Sequence, residues 1–207
     1  NFKTIIICSI NMTFDHALFL DRDGTIIEDC EGALSLDQIK FEEHLFDFIS
    51  YVIKKNFKII MVTNQTSVSK GLISFPEMKK TNDILLQKMN TILGQKVFDS
   101  VFICPYHPDA YITKYKFDSE DRKPKPGMFF KARDKLSLNL KKSIMVGDRV
   151  SDVVAGNLAG CTTILKLNKF SDLKMIKTNL IYSKKMETPN FRVNSLLEII
   201  PIMEKIT

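Results

Sequence analysis

The chain has 207 residues, 44% hydrophobic and 26% charged, which suits one soluble globular domain with a substantial core and excludes a disordered or fibrous chain. Thirty Lys and Arg against 24 Asp and Glu give a net charge of +6. The cations are spread along the chain, so they suit an anionic ligand without calling for nucleic acid. Cys8, Cys30, Cys104 and Cys161 form no C-x-x-C pair, which fits reduced thiols and a cytoplasmic setting. The apolar run from Ile5 to Ile10 is too short to cross a membrane and no small-residue cleavage site follows it. No membrane partner is therefore expected.

Residues 1–13 read as an N-terminal extension of unknown role, in which Met12 would be an initiator or Thr4 to Ile10 an edge strand. Residues 14–207 read as one domain. Its first strand is Ala17-Leu18-Phe19-Leu20, four apolar residues that suit burial on both faces of a sheet. It ends in Asp21-Arg22-Asp23-Gly24-Thr25, which sets two carboxylates at the carboxyl end of a strand, where open α/β sheets hold their ligands. Two acids beside a core repel, so they need a cation or a phosphate-handling task. Magnesium suits them, because it takes hard oxygen ligands and leaves positions for phosphate oxygens.

After a polar loop from Glu28 to Leu36, the spacing of Phe41, Leu45, Phe48, Ile49, Val52 and Ile53 predicts one helical face. Lys58 to Val62 reads as a second buried strand, ending in Thr63-Asn64-Gln65. Ser74 with Glu77 three residues on, and Pro76 between, predicts a capped helix that turns Met78, Leu85, Met89 and Ile92 inward and stops at Gly94. Val97 to Ile103 reads as a third strand, and Cys104 to Lys125 as a long loop, a length that normally accompanies function or a metal. Pro126-Gly127 opens a helix to about Leu136 packed through Met128, Phe129 and Ala132.

The fourth strand, Ser143 to Val146, runs into Gly147-Asp148-Arg149, with Ser151 or Asp152 capping the next helix and Gly160 ending it. Thr162 to Leu165 resumes the sheet, Asn179 to Tyr182 reads as a last short strand, and Asn194-Ser195 opens a terminal helix carrying Leu196, Leu197 and Ile200. The strand-helix alternation implies a parallel sheet with right-handed crossovers. Its strand ends then bring Asp21, Asp23, Thr63, Asn64, Asp148 and Asp152 to one edge, and the long loop adds Arg122-Lys123. A phosphate with bound magnesium needs that inventory of carboxylates, hydroxyl, amide and lysine.

In this order, from Ala17 to about Leu165, the motifs resemble the haloacid dehalogenase-like (HAD-like) phosphatase superfamily. The resemblance implies a three-layer, Rossmann-like α/β fold with helices on both faces of a parallel sheet. It implies Asp21 as nucleophile, Asp23 as general acid and then base, Thr63 and Asn64 as phosphoryl ligands beside Gln65, and Lys123 as the neutralising cation. Magnesium would lie between the Asp21 side chain, the Asp23 carbonyl and Asp148, with Asp152 supporting that shell. Only about forty residues separate Asp23 from Thr63, and Gln65 to Arg122 is used up by one helix, one strand and one loop, so no cap domain is expected over the site.

The strings Phe-Leu-Asp-Arg-Asp-Gly-Thr, Val-Thr-Asn-Gln, Cys-Pro-Tyr-His-Pro and Arg-Lys-Pro-Lys-Pro-Gly-Met are similar to the capless branch that holds the heptose bisphosphate phosphatases and the histidinol-phosphatases. The resemblance favours a sugar bisphosphate substrate, with Arg122 and Arg149 for its distal phosphate or sugar; a monomer is expected. Histidinol phosphate, a polynucleotide 3′-phosphate and a non-enzymatic role are the alternatives. That branch commonly pins its long loop with zinc through C-x-H and C-x-C pairs. Here Tyr106, Ser119 and Asp121 replace three of the ligands, leaving Cys104 with His107 one place off, so no structural zinc is expected and Pro105, Pro108, Tyr106 and Tyr111 would order the loop.

Overall fold

The computed structural model describes residues 16–29, 39–168 and 182–206. Six parallel strands form one sheet: β1 (Ala17–Leu20), β2 (Lys58–Asn64), β3 (Ser100–Cys104), β4 (Ile144–Gly147), β5 (Thr162–Lys166) and β6 (Phe191–Val193). Their order across the sheet is β3-β2-β1-β4-β5-β6, and every adjacent pair is parallel. Connections therefore run outward in one direction from β1 and in the other from β4. The point of reversal lies between β1 and β4, and that is where the carboxyl ends of an open sheet leave a crevice.

Alternation along each strand builds two cores. Leu18, Leu20, Ile59, Met61, Ile144 and Val146 face α1 (Leu45–Lys54), a long helix counted below as α3 (Phe75–Leu93), and the C-terminal helix. Ala17, Phe19, Ile60, Val62 and Met145 face α4 (Gly127–Leu136) and α5 (Val150–Ala159), with Phe19 against Phe129 at 4.7 Å between ring centres. A single α-helical turn, α2 (Thr66–Ser69), follows β2; α6 (Lys184–Glu187) precedes β6; and α7 (Ile199–Ile206) closes the described chain. The result is a three-layer α/β arrangement, with no cap domain among the described residues. Among the described residues no helix is long and apolar enough to cross a membrane.

Local chemistry accounts for most element boundaries. Ser74 Oγ accepts from Glu77 N, and Glu77 Oε2 accepts from Ser74 N at 2.9 Å, so the expected capping box opens α3; Gly94, in the left-handed region at φ +67°, ends it. The inward stripe of α3 is Met78, Asn82, Leu85 and Met89. Ile92 does not join it: the side chain is 55% exposed, and the neighbouring Leu93 packs on the core instead. Phe41 likewise lies outside α1, because residues 26–28 pair antiparallel with 40–42 and hold it in an extended bridge to Ile27. The third strand begins at Ser100 rather than Val97; Val97 and Phe98 are buried before it, and Asp99 accepts from Ile59 N at 2.9 Å.

The strand expected at Asn179 to Tyr182 falls almost wholly outside the described residues, and Tyr182 itself is not in a strand. The observed outer strand, β6, escapes a hydrophobicity reading because only Val193 of its three residues is buried. The loop from Glu28 and the N-terminal readings at Met12 and Thr4 to Ile10 also lie largely or wholly outside the described residues. In the long loop after β3, Tyr106 packs against Tyr115 and Phe117, whereas Tyr111 is 82% exposed and contributes only its backbone, donating to Ser69 O at 3.0 Å.

Candidate active site

The β1 strand delivers Asp21 to the crevice, where its N–H donates to Val146 O of β4 at 3.1 Å. The chain then reverses: Ile26 and Ile27 N–H groups both donate to Arg22 O, and Gly24 adopts φ +78°. A Cβ at Gly24 would run into the Asp148 carboxylate, so glycine is needed both for the backbone conformation and for the space. Gly147 serves the same end of β4, since a Cβ there would overlap Asp152.

These close approaches gather three buried carboxylates. Oxygens of Asp21, Asp148 and Asp152 all lie within 4.8 Å of one another. Lys123 reaches in from the long loop, with Nζ at 2.7 Å from Asp21 Oδ1, 2.7 Å from Asp152 Oδ1 and 2.8 Å from Val62 O. Burial disfavours its charge, but the two carboxylates prevail and raise its pKa. One lysine does not neutralise three acids. Burial, with the charges of Asp152 and Asp21 adding to it, pushes Asp148 up to about 8. Burial also lifts Asp152 to about 6, with Lys123 pulling the other way. Such a cluster of hard oxygen donors, short of positive charge, is chemically matched to a divalent cation.

Asp152 is not the N-cap of α5. It sits one turn in and accepts from Arg149 N at 3.0 Å, which ties the helix start to the carboxylate cluster. Asn168, just after β5, donates to Asp148 Oδ2 at 3.0 Å. Asn64 donates from Nδ2 to Lys123 O at 2.8 Å and accepts from Lys123 N at 3.1 Å; this reciprocal pair fixes the loop backbone that carries the lysine.

Asp23 stands beside the cluster in a separate set of contacts. Arg22 forks onto it, with Nε and Nη2 at 3.0 and 2.8 Å from Oδ1, and Gln65 Nε2 donates to its Oδ2 at 3.1 Å and to Thr63 Oγ1 at 2.9 Å. A cavity of about 390 Å³ opens above these groups. Of the residues read from sequence, Asp21, Asp23, Asn64, Gln65, Lys123, Arg149 and Asp152 line it, while Thr63 and Asp148 lie beneath it. Arg122 stands apart and donates to Tyr106 O at 3.1 Å, bracing the long loop. Arg149 leans across to Asp29, 3.2 Å away.

Several lining residues went unread: Arg22, Asp29, Ser67 and Lys70. Arg22 was legible as a cation between two acids, and the polar run Thr66-Ser67 after a strand end carried the same signal as Thr63. Asn82, a polar residue on an apolar helical stripe, was also legible. Asn168 had no signal.

An open parallel sheet with paired aspartates at its switch point and a lysine bridging the carboxylates defines the class of HAD-like hydrolases. A HAD-hydrolase-like family model matches residues 121–199. The D-glycero-beta-D-manno-heptose-1,7-bisphosphate 7-phosphatase of Vibrio cholerae is 34% identical over 147 residues, 71% of this chain and 78% of that protein. The D-glycero-alpha-D-manno-heptose-1,7-bisphosphate 7-phosphatase of Burkholderia mallei is 35% identical over 73% of this chain and 79% of its own. A crystal structure of the D,D-heptose 1,7-bisphosphate phosphatase of B. bronchiseptica, complexed with magnesium and phosphate, has the same fold: TM-score 0.74 at 21% identity, covering 93% of this chain and 99% of that one. The chain belongs to the HAD-like hydrolases, in the branch of the heptose 1,7-bisphosphate phosphatases.

Proposed function

We propose that the chain is a magnesium-dependent phosphatase that removes the 7-phosphate of D-glycero-D-manno-heptose 1,7-bisphosphate through an aspartyl phosphate on Asp21. The observation that carries this reading is the Asp21 carboxylate on the cavity floor, with one oxygen held by Lys123 at 2.7 Å and Asp148 and Asp152 beside it. The names of the relatives supply the substrate.

Asp21 attacks phosphorus as the bond to the leaving oxygen breaks, and Asp23 passes a proton to that oxygen. Asp23, now a carboxylate, then takes a proton from water as the water oxygen attacks the same phosphorus and frees Asp21. Lys123 stabilises the charge on the phosphoryl group through both steps, with Thr63, Asn64 and Gln65 as its polar neighbours. The Asp21 and Asp148 side chains, with the Asp23 carbonyl, would hold magnesium, and Asp152 would support them; the ion supplies neutralisation of phosphate charge. Hard oxygen donors in this number fit that ion and leave a charge deficit that it would fill.

Arg149 is assigned to the distal phosphate, a role supported by its position on the cavity wall. Arg122 is assigned to bracing the loop through Tyr106. Side-by-side kinetics test the substrate. Heptose bisphosphate should be cleaved with kcat/KM at least about tenfold above histidinol phosphate, and turnover should stop with chelator; the reverse preference would transfer the assignment to the histidinol branch.

A further inference from the structure

The chemistry described above needs Asp23 to meet a leaving oxygen in one orientation, yet Asp23 is the least buried of the site's acids, its side chain 21% exposed. What holds it comes from Arg22, between the two aspartates, and from Asn82 on α3. Arg22 is 6% exposed and Asn82 2%. Three guanidinium contacts run from Arg22 to the two Asp23 oxygens: Nε to Oδ1 at 3.0 Å, Nη2 to Oδ1 at 2.8 Å and Nη2 to Oδ2 at 3.0 Å. The remaining arm, Nη1, donates to Asn82 Oδ1 at 2.7 Å.

Asn82 occupies the middle of the apolar stripe of α3, between Met78 and Leu85. Its Nδ2 donates to the Met78 sulfur at 3.0 Å, a weak acceptor. Burying a carboxamide on a core stripe is unfavourable without a compensating bond, and the strong, charge-assisted one is to Arg22. The fork joins side chains adjacent in sequence, so its geometry depends on the backbone between them. Here the tight turn at Arg22 O and the Asn82 anchor make that geometry the resting one.

We propose that Arg22 and Asn82 are positioning residues for the proton-transfer step: α3 fixes Arg22 through Asn82, and Arg22 fixes the Asp23 carboxylate for the leaving oxygen. Neither residue exchanges a proton. This inference rests on the assignment of Asp23 as general acid, and it adds α3 to the catalytic architecture.

Leaving-group chemistry separates a positioning role from a merely structural one. A primary alkoxide, as on the sugar, needs a proton to depart, whereas p-nitrophenolate leaves without one. The ratio of kcat/KM on heptose bisphosphate to kcat/KM on p-nitrophenyl phosphate therefore reports the alignment of Asp23 in the first step. Arg22→Met should lower kcat/KM on the sugar by about 100-fold, and at least about tenfold more than on p-nitrophenyl phosphate. Arg22→Lys should keep most of that selective loss, since an ammonium cannot make the fork. Asn82→Leu, which preserves volume and leaves Arg22 in place, should show a smaller loss of the same selectivity.

Equal losses on both substrates in Arg22→Lys and Asn82→Leu would overturn the proposal and reduce the two residues to core support. Asp23→Asn provides the control: if it too shows no selective loss on the sugar, the general-acid assignment itself is wrong. A selective loss in Asp23→Asn with none in the other variants would sink only the positioning role.

Discussion

Asp148 illustrates how burial among other acids loads a carboxylate with a proton even beside a cation, Arg149 Nε lying 3.9 Å from its Oδ2. Its pKa, pushed up to about 8, lies far above the value near 3.9 of an unfolded aspartate, so the metal-free folded state binds that proton the more tightly. The stability this contributes is complete below about pH 4 and is lost as pH rises through about 8. A divalent cation must displace the proton, which gives the opposite trend for binding. Apparent magnesium affinity, by calorimetric titration, should weaken by up to about tenfold for each pH unit below 8, and Asp152, lifted to about 6, should steepen the loss further down. Flat affinity between pH 6 and 8 would show that Asp148 is already ionised without metal. The carboxylates were legible in the sequence as motif letters; their shared proton economy was not, because it depends on burial and on how far one lysine reaches.

Among the elements, those with a capping residue, a glycine stop or a continuous apolar run were readable: β1, β2, α3, α4 and α5. Misreadings occurred where a long-range partner overrode local spacing. Phe41 has the right interval for α1 but is held in a bridge to Ile27, and β6 owes its place to pairing with β5 rather than to its own hydrophobicity. The loop after β3 is organised by contacts that no local pattern announces. Tyr106 packs at a tilt against Tyr115 and edge-to-face against Phe117, the His107 backbone bridges that of Lys116, and Lys125 joins Asp118 and Glu120 at 2.8 and 3.0 Å. The loop carries one buried cysteine, Cys104, and Asp121 N–H donates to Ser119 Oγ at 3.2 Å. Metal analysis of the purified protein should find well under one zinc per chain, and a stoichiometric content would contradict the loop's assignment as zinc-free.

At the scale of the molecule, the sheet order explains why a few short motifs, spread over more than a hundred residues of sequence, form one site. Outward winding from β1 and from β4 leaves a single crevice, and the carboxyl ends of β1, β2 and β4 surround it. That convergence followed from the strand-helix alternation alone. What lay beyond the sequence was which side chains line the cavity: Arg22 and Lys70 do, while Arg122, read as a candidate substrate ligand, is absent from its lining and donates to Tyr106 O. Among the described residues, the cavity over Asp21 is lined from the β1 turn, from α2 and the residues after it, from Lys123 of the loop after β3 and from the start of α5.

The central claim is that Asp21 is the nucleophile of a phosphatase, and steady-state hydrolysis of heptose bisphosphate by the wild-type chain and by Asp21→Asn tests it most directly. With magnesium present and both proteins shown to be folded by thermal denaturation, the wild type should turn over and the variant should fall by at least about a thousandfold. Comparable turnover in the two proteins would contradict the account.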